Sequence, residues 1–588
     1  MTVVLQEPTP QADDRVGERP GSRPGNLWRR GRRWLRGLPM LAFITVVVAV
    51  PLGYLVVNTF NLSAPGQPAR FGLANWTDGV SDPAFLEAMR TTLQLGLTRI
   101  PIALAIATLL AWFIARTDMP GGRVLEVLFW IAFFIPGISV TLGWILLADP
   151  LTGVLNEAVR SIPGVSLERG PLNIFSFWGI NLAHLTTTVP VMTILLIPVF
   201  RRMDATLEEA AGTAGAGRYR TALLITLPLM APAIFSTGLL GLAYSLNAFE
   251  IELILGPQAG LQVFSTQIYN WLQATPPRYG ISAALGVMFI PMLVLLVLLQ
   301  RYFVRRRSFT TVGAKGFSDT VVRLGRVGRW VAFGITTCYL TLTVLLPVAA
   351  VAVGSFMRRF GFFQIEPPYT TDNWSALLND RRFLSSFTDS LQLGLAAAAA
   401  GVLLYFLAAY YVIRSRLPGR SYVDSMAWVP AGVPGLLLGF GLLWLFLATP
   451  LRSVMYGALA GLALAVVVNH MSVGTQQMKS ALLQISPDHE AAARIAGASP
   501  ARAHLFITAP LLSQTILAVG LLTFDSAMRN VSTVALLSSS DFQPLSILLL
   551  GYSTQGSLER GAALGTVMCA ITITVGLIGI RLARGRRG

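Results

Sequence analysis

The sequence predicts an all-α polytopic membrane protein. About twelve transmembrane helices form two parallel six-helix repeats, related by a pseudo-two-fold axis along the membrane normal. Three observations carry that prediction. The 588 residues are 54% hydrophobic and only 12% charged, where a soluble domain has about a quarter of its residues charged. Apolar runs of about 20 residues, enough to cross a ~30 Å hydrocarbon core at 1.5 Å per residue, recur along the chain. The two halves also repeat one another. So much apolar material excludes a disordered chain despite a net charge of +17.

The first set of runs lies near 38–60, 90–115, 124–148, 174–200, 229–255 and 281–304, and the second near 330–356, 386–413, 422–447, 452–475, 511–538 and 560–583. The run at 38–60 starts too deep and is too long for a cleaved signal peptide. Four regions follow: a disordered basic arm (1–37), a first six-helix half (38–307), a basic linker (308–329) and a second six-helix half (330–588). Cys338 and Cys569 sit far apart in apolar runs, which implies neither a disulfide framework nor a metal site.

The net charge has a topological reading. Arg29, Arg30, Arg32, Arg33 and Arg36 precede the first span, and eight basic residues from Arg301 to Arg329 join the halves. Arg116 and Arg123 flank the turn after the second span, Arg201 and Arg202 follow the fourth, Arg414, Arg416 and Arg420 repeat the short turn, and Arg581, Arg584, Arg586 and Arg587 end the chain. Placing the first cluster in the cytoplasm places all of them there, as the positive-inside rule requires. Both termini are then cytoplasmic. The charge is membrane topology and not a nucleic-acid footprint.

The repeat is checked by subtraction. Asn75-Trp76 recurs as Asn373-Trp374, Leu93-Gln94-Leu95-Gly96-Leu97 as Leu391-Gln392-Leu393-Gly394-Leu395, Pro120-Gly121 as Pro418-Gly419, and Pro136-Gly137 as Pro434-Gly435, all 298 residues apart. Downstream the offset falls to 282, so the first half holds about 16 extra residues near 150–173, read as an added loop or short surface helix. Six spans per half make the repeat parallel rather than inverted.

After the fourth span comes Glu208-Glu209-Ala210-Ala211-Gly212-Thr213-Ala214-Gly215, then Ile225 and Leu227-Pro228. Acid in the first turn favours helix initiation, the alanines leave a flat face, and Gly215 can end the turn at positive φ. Pro228 suits the first turn of the fifth span. In the second half Gly497, Ile507 and Pro510 keep the spacing, Ala491-Ala492-Ala493 fills the Glu-Ala-Ala slot, and Glu490 lies opposite Glu208. These segments resemble the Glu-Ala-Ala loops of bacterial ABC-type importer permeases, and the whole chain resembles a fused permease of the binding-protein-dependent kind. The resemblance implies that each loop forms a coupling helix seated in a groove of a cytoplasmic ATPase. It implies a homodimeric ATP-binding cassette ATPase and an extracytoplasmic substrate-binding protein as partners, with ATP and Mg on the ATPase and no cofactor on this chain. It also implies a multi-pass protein of the bacterial cytoplasmic (inner) membrane. The second loop reads as degenerate.

No G-x-x-x-x-G-K-[ST] phosphate loop is present, Gly215-Ala216-Gly217-Arg218 lacking the Lys and a preceding strand. No hydrolase or metal-ligand spacing occurs, so the chain reads as a transport subunit and not an enzyme. Charged or strongly polar residues within spans are the pathway candidates: Asn247, Glu250 and Glu252 at the end of the fifth run, and Asp525, Arg529 and Asn530 in the eleventh. Glu250 or Glu252 is expected near Arg529 at the external side of the gate, the alternative being span-end charges in interfacial water. His184 and His470 do not coincide in the repeat and read as imidazoles bonded to helix carbonyls. The second half carries Ala481-Leu-Leu-Gln-Ile-Ser-Pro-Asp488 and the first carries Phe249-Glu-Ile-Glu-Leu-Ile-Leu-Gly256. Both resemble the ferric-iron importers and their thiamine and phosphonate relatives. Ferric iron is the expected cargo, with thiamine, phosphonate or polyamine-like solutes, or an ion-coupled secondary transporter, as alternatives.

Overall fold

The computed structural model describes residues 35, 37–64, 67–164, 167–203, 206–306, 322–415 and 417–584. Most of the predicted arm, the linker as far as residue 321, Arg416 and the last four residues lie outside them. Among the described residues nine helices are long and apolar enough to cross a membrane, or up to twelve if each of three bent pairs is one span. No strand occurs among these residues, only three isolated bridges.

In chain order the first half is built from α1 (Gly37–Asn58), α2 (Pro83–Arg116), α3 (Gly122–Phe134), α4 (Gly137–Ala148), α5 (Val154–Arg160), α6 (Phe177–Arg201), α7 (Thr206–Thr213), α8 (Ala222–Leu246), α9 (Glu250–Ala259), α10 (Phe264–Gln273) and α11 (Tyr279–Arg306). The second half follows with α12 (Gly325–Gly354), α13 (Arg381–Ile413), α14 (Arg420–Gly432), α15 (Gly435–Ala448), α16 (Leu459–Gln484), α17 (Asp488–Ile495), α18 (His504–Leu511), α19 (Ser513–Arg529), α20 (Leu545–Thr554) and α21 (Leu558–Arg584).

The repeated Pro-Gly pairs break the third span of each half. α3 and α4 meet at 100° across Ile135-Pro136, and α14 and α15 at 113° across Val433-Pro434. Proline has no N–H to donate and disfavours helix in the residue before it, so the run bends there. The freed inner segments α4 and α15 are almost wholly buried. Each is clasped by the first helix of the opposite half: α12 lies against α4, and α1 against α15. The approach is backbone to backbone, because a Cβ on Gly143 would fall inside Pro347 and one on Gly441 would lie 2.8 Å from the Pro51 carbonyl oxygen.

Four π turns, at Thr45–Ala49, Ala222–Thr226, Thr341–Leu345 and His504–Thr508, precede Pro51, Pro228, Pro347 and Pro510 by two residues. A proline ring clashes with the carbonyl four residues earlier, which in each case lies inside the wider turn. The π turn thereby keeps the helix continuous. Pro228 is accordingly not at the start of the fifth helix but follows its first turns.

Three expected boundaries move. The run at 229–255 is two helices: α8 stops at Leu246 with Asn247 as its C-cap, and α9 begins at Glu250. Ala248 and Phe249 keep the hydropathy high across the break. The run at 452–475 is displaced, α16 beginning at Leu459 and reaching Gln484. The run at 511–538 is the bent pair α18 and α19, closed at Arg529 and followed by turns. The 16-residue insertion contains α5, held by the buried Asn156, which donates to the carbonyls of Asp149 at 2.8 Å and Leu172 at 2.7 Å.

Candidate coupling and pathway sites

The two Glu-Ala-Ala-like segments form the short helices α7 and α17, each lying between a long helix and a π turn. In the first, the Glu208 carboxylate pairs with the Arg116 guanidinium at the end of α2 and accepts the Thr226 hydroxyl at 2.5 Å. In the second, Glu490 accepts Thr508 at 3.2 Å and the Tyr410 hydroxyl at 3.1 Å, with Arg414 Nε 3.8 Å from Oε1. Arg116 and Arg414 are 298 apart, and Glu208 and Glu490, like Thr226 and Thr508, are 282 apart. The same three positions recur around each short helix, but the arginines differ: Arg116 donates to Glu208, whereas Arg414 donates to the Leu482 and Ile485 carbonyls and comes only within 3.8 Å of Glu490, which is tied to α13 by Tyr410 instead.

The outward face follows from that tether. Ala211 and Ala493 turn inward with the glutamates, whereas Ala210, Ala491 and Ala492 are exposed. The side chain of Glu209 is outside the described set. Gly215 and Gly497 adopt φ of +82° and +86°, and the following residues close six-residue turns, Ala216 N–H to Ala211 O and Ala498 N–H to Ala493 O, both at 2.9 Å. A left-handed residue is needed there, and glycine takes it without a Cβ penalty. A hollow of about 190 Å³ opens beside Gly215, lined by Ala214, Arg220, Leu224 and Ile225 among others. Ile225 and Ile507 are half-buried, and Pro228 and Pro510 are exposed. A second tie occurs near both loops: Arg201 donates to Glu126 at 3.1 Å, and Lys479 pairs with Asp424, the acids again 298 apart.

The intramembrane candidates separate into two groups. Glu252 does not face Arg529. Its Oε1 accepts from Arg99 Nη2 at 3.0 Å and lies 2.7 Å from His184 Nε2. Arg99 also donates to Ser245 Oγ at 3.2 Å and Asn181 Oδ1 at 3.4 Å. His184 is thus bound to a carboxylate rather than a helix carbonyl, because Glu252 projects from α9 into the space beside α6. Arg529 pairs with Asp525 at 2.8 Å, donates to the Phe133 carbonyl at 2.7 Å and lies 5.0 Å over the Phe133 ring. Glu250 opens α9 against the bend between α3 and α4: a Cβ on Gly137 would lie 3.1 Å from its Oε2, and Arg529 of the second half reaches the same bend at the Phe133 carbonyl. Asn247 donates to Ala243 O at 2.8 Å, and Asn530 accepts from Thr533 N–H at 3.0 Å. His470 Nε2 has no hydrogen-bond partner, and no cluster of three His, Cys, Asp or Glu side chains able to hold a metal occurs among the described residues.

Arg99, Ser245, Thr226 and Thr508 are absent from the sequence-based site lists. Arg99 was visible as an arginine in the interior of the 90–115 run, nine residues beyond Arg90 at its edge. Arg116 and Arg414 were read only as topological charge, although their shared register was available.

Residues 107–309 match the family described as the binding-protein-dependent transport system inner membrane component. The chain is similar to a ferric transport system permease protein of Actinobacillus pleuropneumoniae, 24% identical over 415 residues, covering 68% of this chain and 58% of the relative. It is also similar to a putative ferric transport system permease protein of Haemophilus influenzae, 25% identical over 432 residues, covering 73% of this chain and 66% of the relative. The matches thus span under two thirds of these relatives' lengths. Among solved structures, a chain of a bacterial ABC transporter involved in the import of the acidic polysaccharide alginate is 22% identical with a TM-score of 0.41, covering 48% of this chain and 99% of that one.

Proposed function

We propose that this chain, of which residues 107–309 match the binding-protein-dependent transport system inner membrane component family, is a membrane-spanning permease of an ATP-driven importer. In this reading α7 and α17 are its two coupling helices. Each docks on one copy of a homodimeric ATP-binding cassette ATPase, which holds the ATP and Mg. An extracytoplasmic binding protein delivers the solute, and both termini lie in the cytoplasm. The observation that carries the reading is the tether made twice, Arg116–Glu208–Thr226 and Arg414–Glu490–Thr508.

The physical logic is mechanical. A helix that transmits a push must be stiff at its base and open on its outer face. The buried carboxylate supplies the first, and the exposed alanines and left-handed glycine supply the second. Tied to α2 and α13, a displaced coupling helix moves the long helices instead of bending the loop. The parallel arrangement of the halves would set the two loops on the same side of the membrane, where a two-fold ATPase dimer could engage both.

Ferric iron is the proposed cargo, supported by the two ferric relatives. Reconstitution of the chain with its co-purifying ATPase and binding protein tests both parts. ATP-dependent uptake of radioactive iron, abolished by omitting the binding protein, is the expected result. Uptake that runs on an ion gradient without any ATPase would overturn the importer reading. ATP-driven uptake of a phosphonate or thiamine but not iron would overturn only the cargo.

A further inference from the structure

The Arg99 cluster has a property visible only when the halves are laid in register. Its five members come from four elements: Arg99 on α2, Asn181 and His184 on α6, Ser245 on α8 and Glu252 on α9. At the repeat offsets of 298 for the first and 282 for the rest, the second half places Ala397, Ala463, Val466, Ala527 and Val534. All five are buried and none can hydrogen-bond through its side chain. The whole polar set is present in one half and wholly replaced by small apolar side chains in the other. Members are not lost singly, as expected if each charge is tolerable only with its partners.

The backbone differs at the same place. In the first half residues 250–259 form α9, packed on α4 and α6. In the second half the matching stretch 532–541 is turns and irregular backbone. Glu252 is the only member of the cluster on α9, and it sits two residues after Glu250, whose Oε2 lies against Gly137 at the α3–α4 bend, where Arg529 of the second half donates to the Phe133 carbonyl. Arg99 shares α2 with Arg116, the arginine that tethers the first coupling helix, seventeen residues away. At 1.5 Å per residue the two arginines stand roughly 26 Å apart on one continuous helix, with Pro101 between them.

We infer that Arg99, His184 and Glu252 are positioning residues: they pin α9 to α2 and α6, so that movement of α2 carries Glu250 against or away from the second half. Opening of the pathway is then driven from the first half. The second half, with Ala397 in place of Arg99, holds its coupling helix through Tyr410 and Thr508 on Glu490 but has no matching pin. The inference rests on the importer reading for its consequence, and on geometry alone for the pin.

The second half supplies the test. Its five residues are transplanted into the first as Arg99→Ala, Asn181→Ala, His184→Val, Ser245→Ala and Glu252→Val together. Removing the whole set leaves no buried charge unpaired, so the chain is expected to fold. A milder double variant, Asn181→Ala with Ser245→Ala, removes two hydrogen bonds of Arg99 and keeps the charges paired. Both are studied as full chain with the co-purified ATPase.

Hydrogen exchange at residues 250–259 is expected to accelerate by at least about tenfold in the five-residue variant and by about threefold in the double, with α2 and α6 keeping native protection. ATP-driven iron uptake is expected to fall at least about tenfold in the first while the ATPase still co-purifies. Unchanged exchange in α9 would overturn the pin, and the double variant decides this if the other does not fold. Faster exchange in α9 with wild-type uptake would overturn its role in transport. A wild-type chain with no ATP-driven uptake would remove the importer reading, while the exchange arm still decides the pin.

Discussion

At their loop ends the two halves carry the same three residue types at matching positions around the glutamate, Arg116–Glu208–Thr226 in one and Arg414–Glu490–Thr508 in the other, with Tyr410 taking over the direct bond that Arg116 makes. In the interior they diverge, one burying Arg99 and Glu252 with a half-buried His184 beside them, where the other buries Ala397, Val534 and Val466. In the proposed importer a two-fold partner would hold both loops to one pattern, whereas the interior would be under no such constraint. The difference also revises the reading of the second loop as degenerate. Its departure, Ala491 for Glu209, lies in the slot next to the anchoring glutamate, and the anchor itself is kept.

The interior difference gives the largest expected effect. Glu252→Val alone leaves the Arg99 guanidinium buried without its carboxylate, which costs about 3–5 kcal/mol. Thermal unfolding of the purified chain should show a large loss of stability or no folded protein. Val534→Glu at the fully buried counterpart should destabilise by a similar amount, since no arginine waits there. A well-tolerated Val534→Glu would mean that the interiors are more alike than their side chains suggest.

The loop ends predict equality instead. Arg116→Ala and Arg414→Ala should each lower ATP-driven uptake by about tenfold, a coupling loss of about 1.4 kcal/mol. The two effects should agree within about threefold, and a silent Arg414→Ala would restore the picture of a vestigial second loop. Gly215→Ala and Gly497→Ala come next. Neither new Cβ meets an atom within 4 Å, so only left-handed strain of about 1–2 kcal/mol is expected, read as a modest and matched fall in the thermal midpoint. Smallest of all is Glu209→Ala, which makes the first loop read like the second and should change uptake by less than about twofold.

Much of the fold was legible because membrane spans leave a long, unambiguous apolar record. The Pro136-Gly137 and Pro434-Gly435 breaks and the left-handed glycines were available from residue types alone. The end of α8 at Leu246 was not, because Ala248 and Phe249 are as apolar as the helix and hydropathy does not register a change of direction. The turns after Arg529 were missed for the same reason. The site was half legible. Spacing identified Glu208, Gly215 and their counterparts, but of the two glutamates expected near Arg529 it could not say that Glu250 goes there and Glu252 to Arg99, since nothing in a one-dimensional offset says which face of α9 carries each. Arg99 went unassigned because its partners come from three other helices, 82 to 153 residues along the chain.

The central claim is that both short helices are equivalent contacts for one ATPase dimer. It is tested most directly by placing a photo-crosslinking residue at Ala210 or at Ala492, exposed counterparts 282 apart, in the full complex. Crosslinks from each position to the ATPase in comparable yield, both sensitive to ATP, are the predicted result. A crosslink from Ala210 with none from Ala492, or from neither, would contradict it.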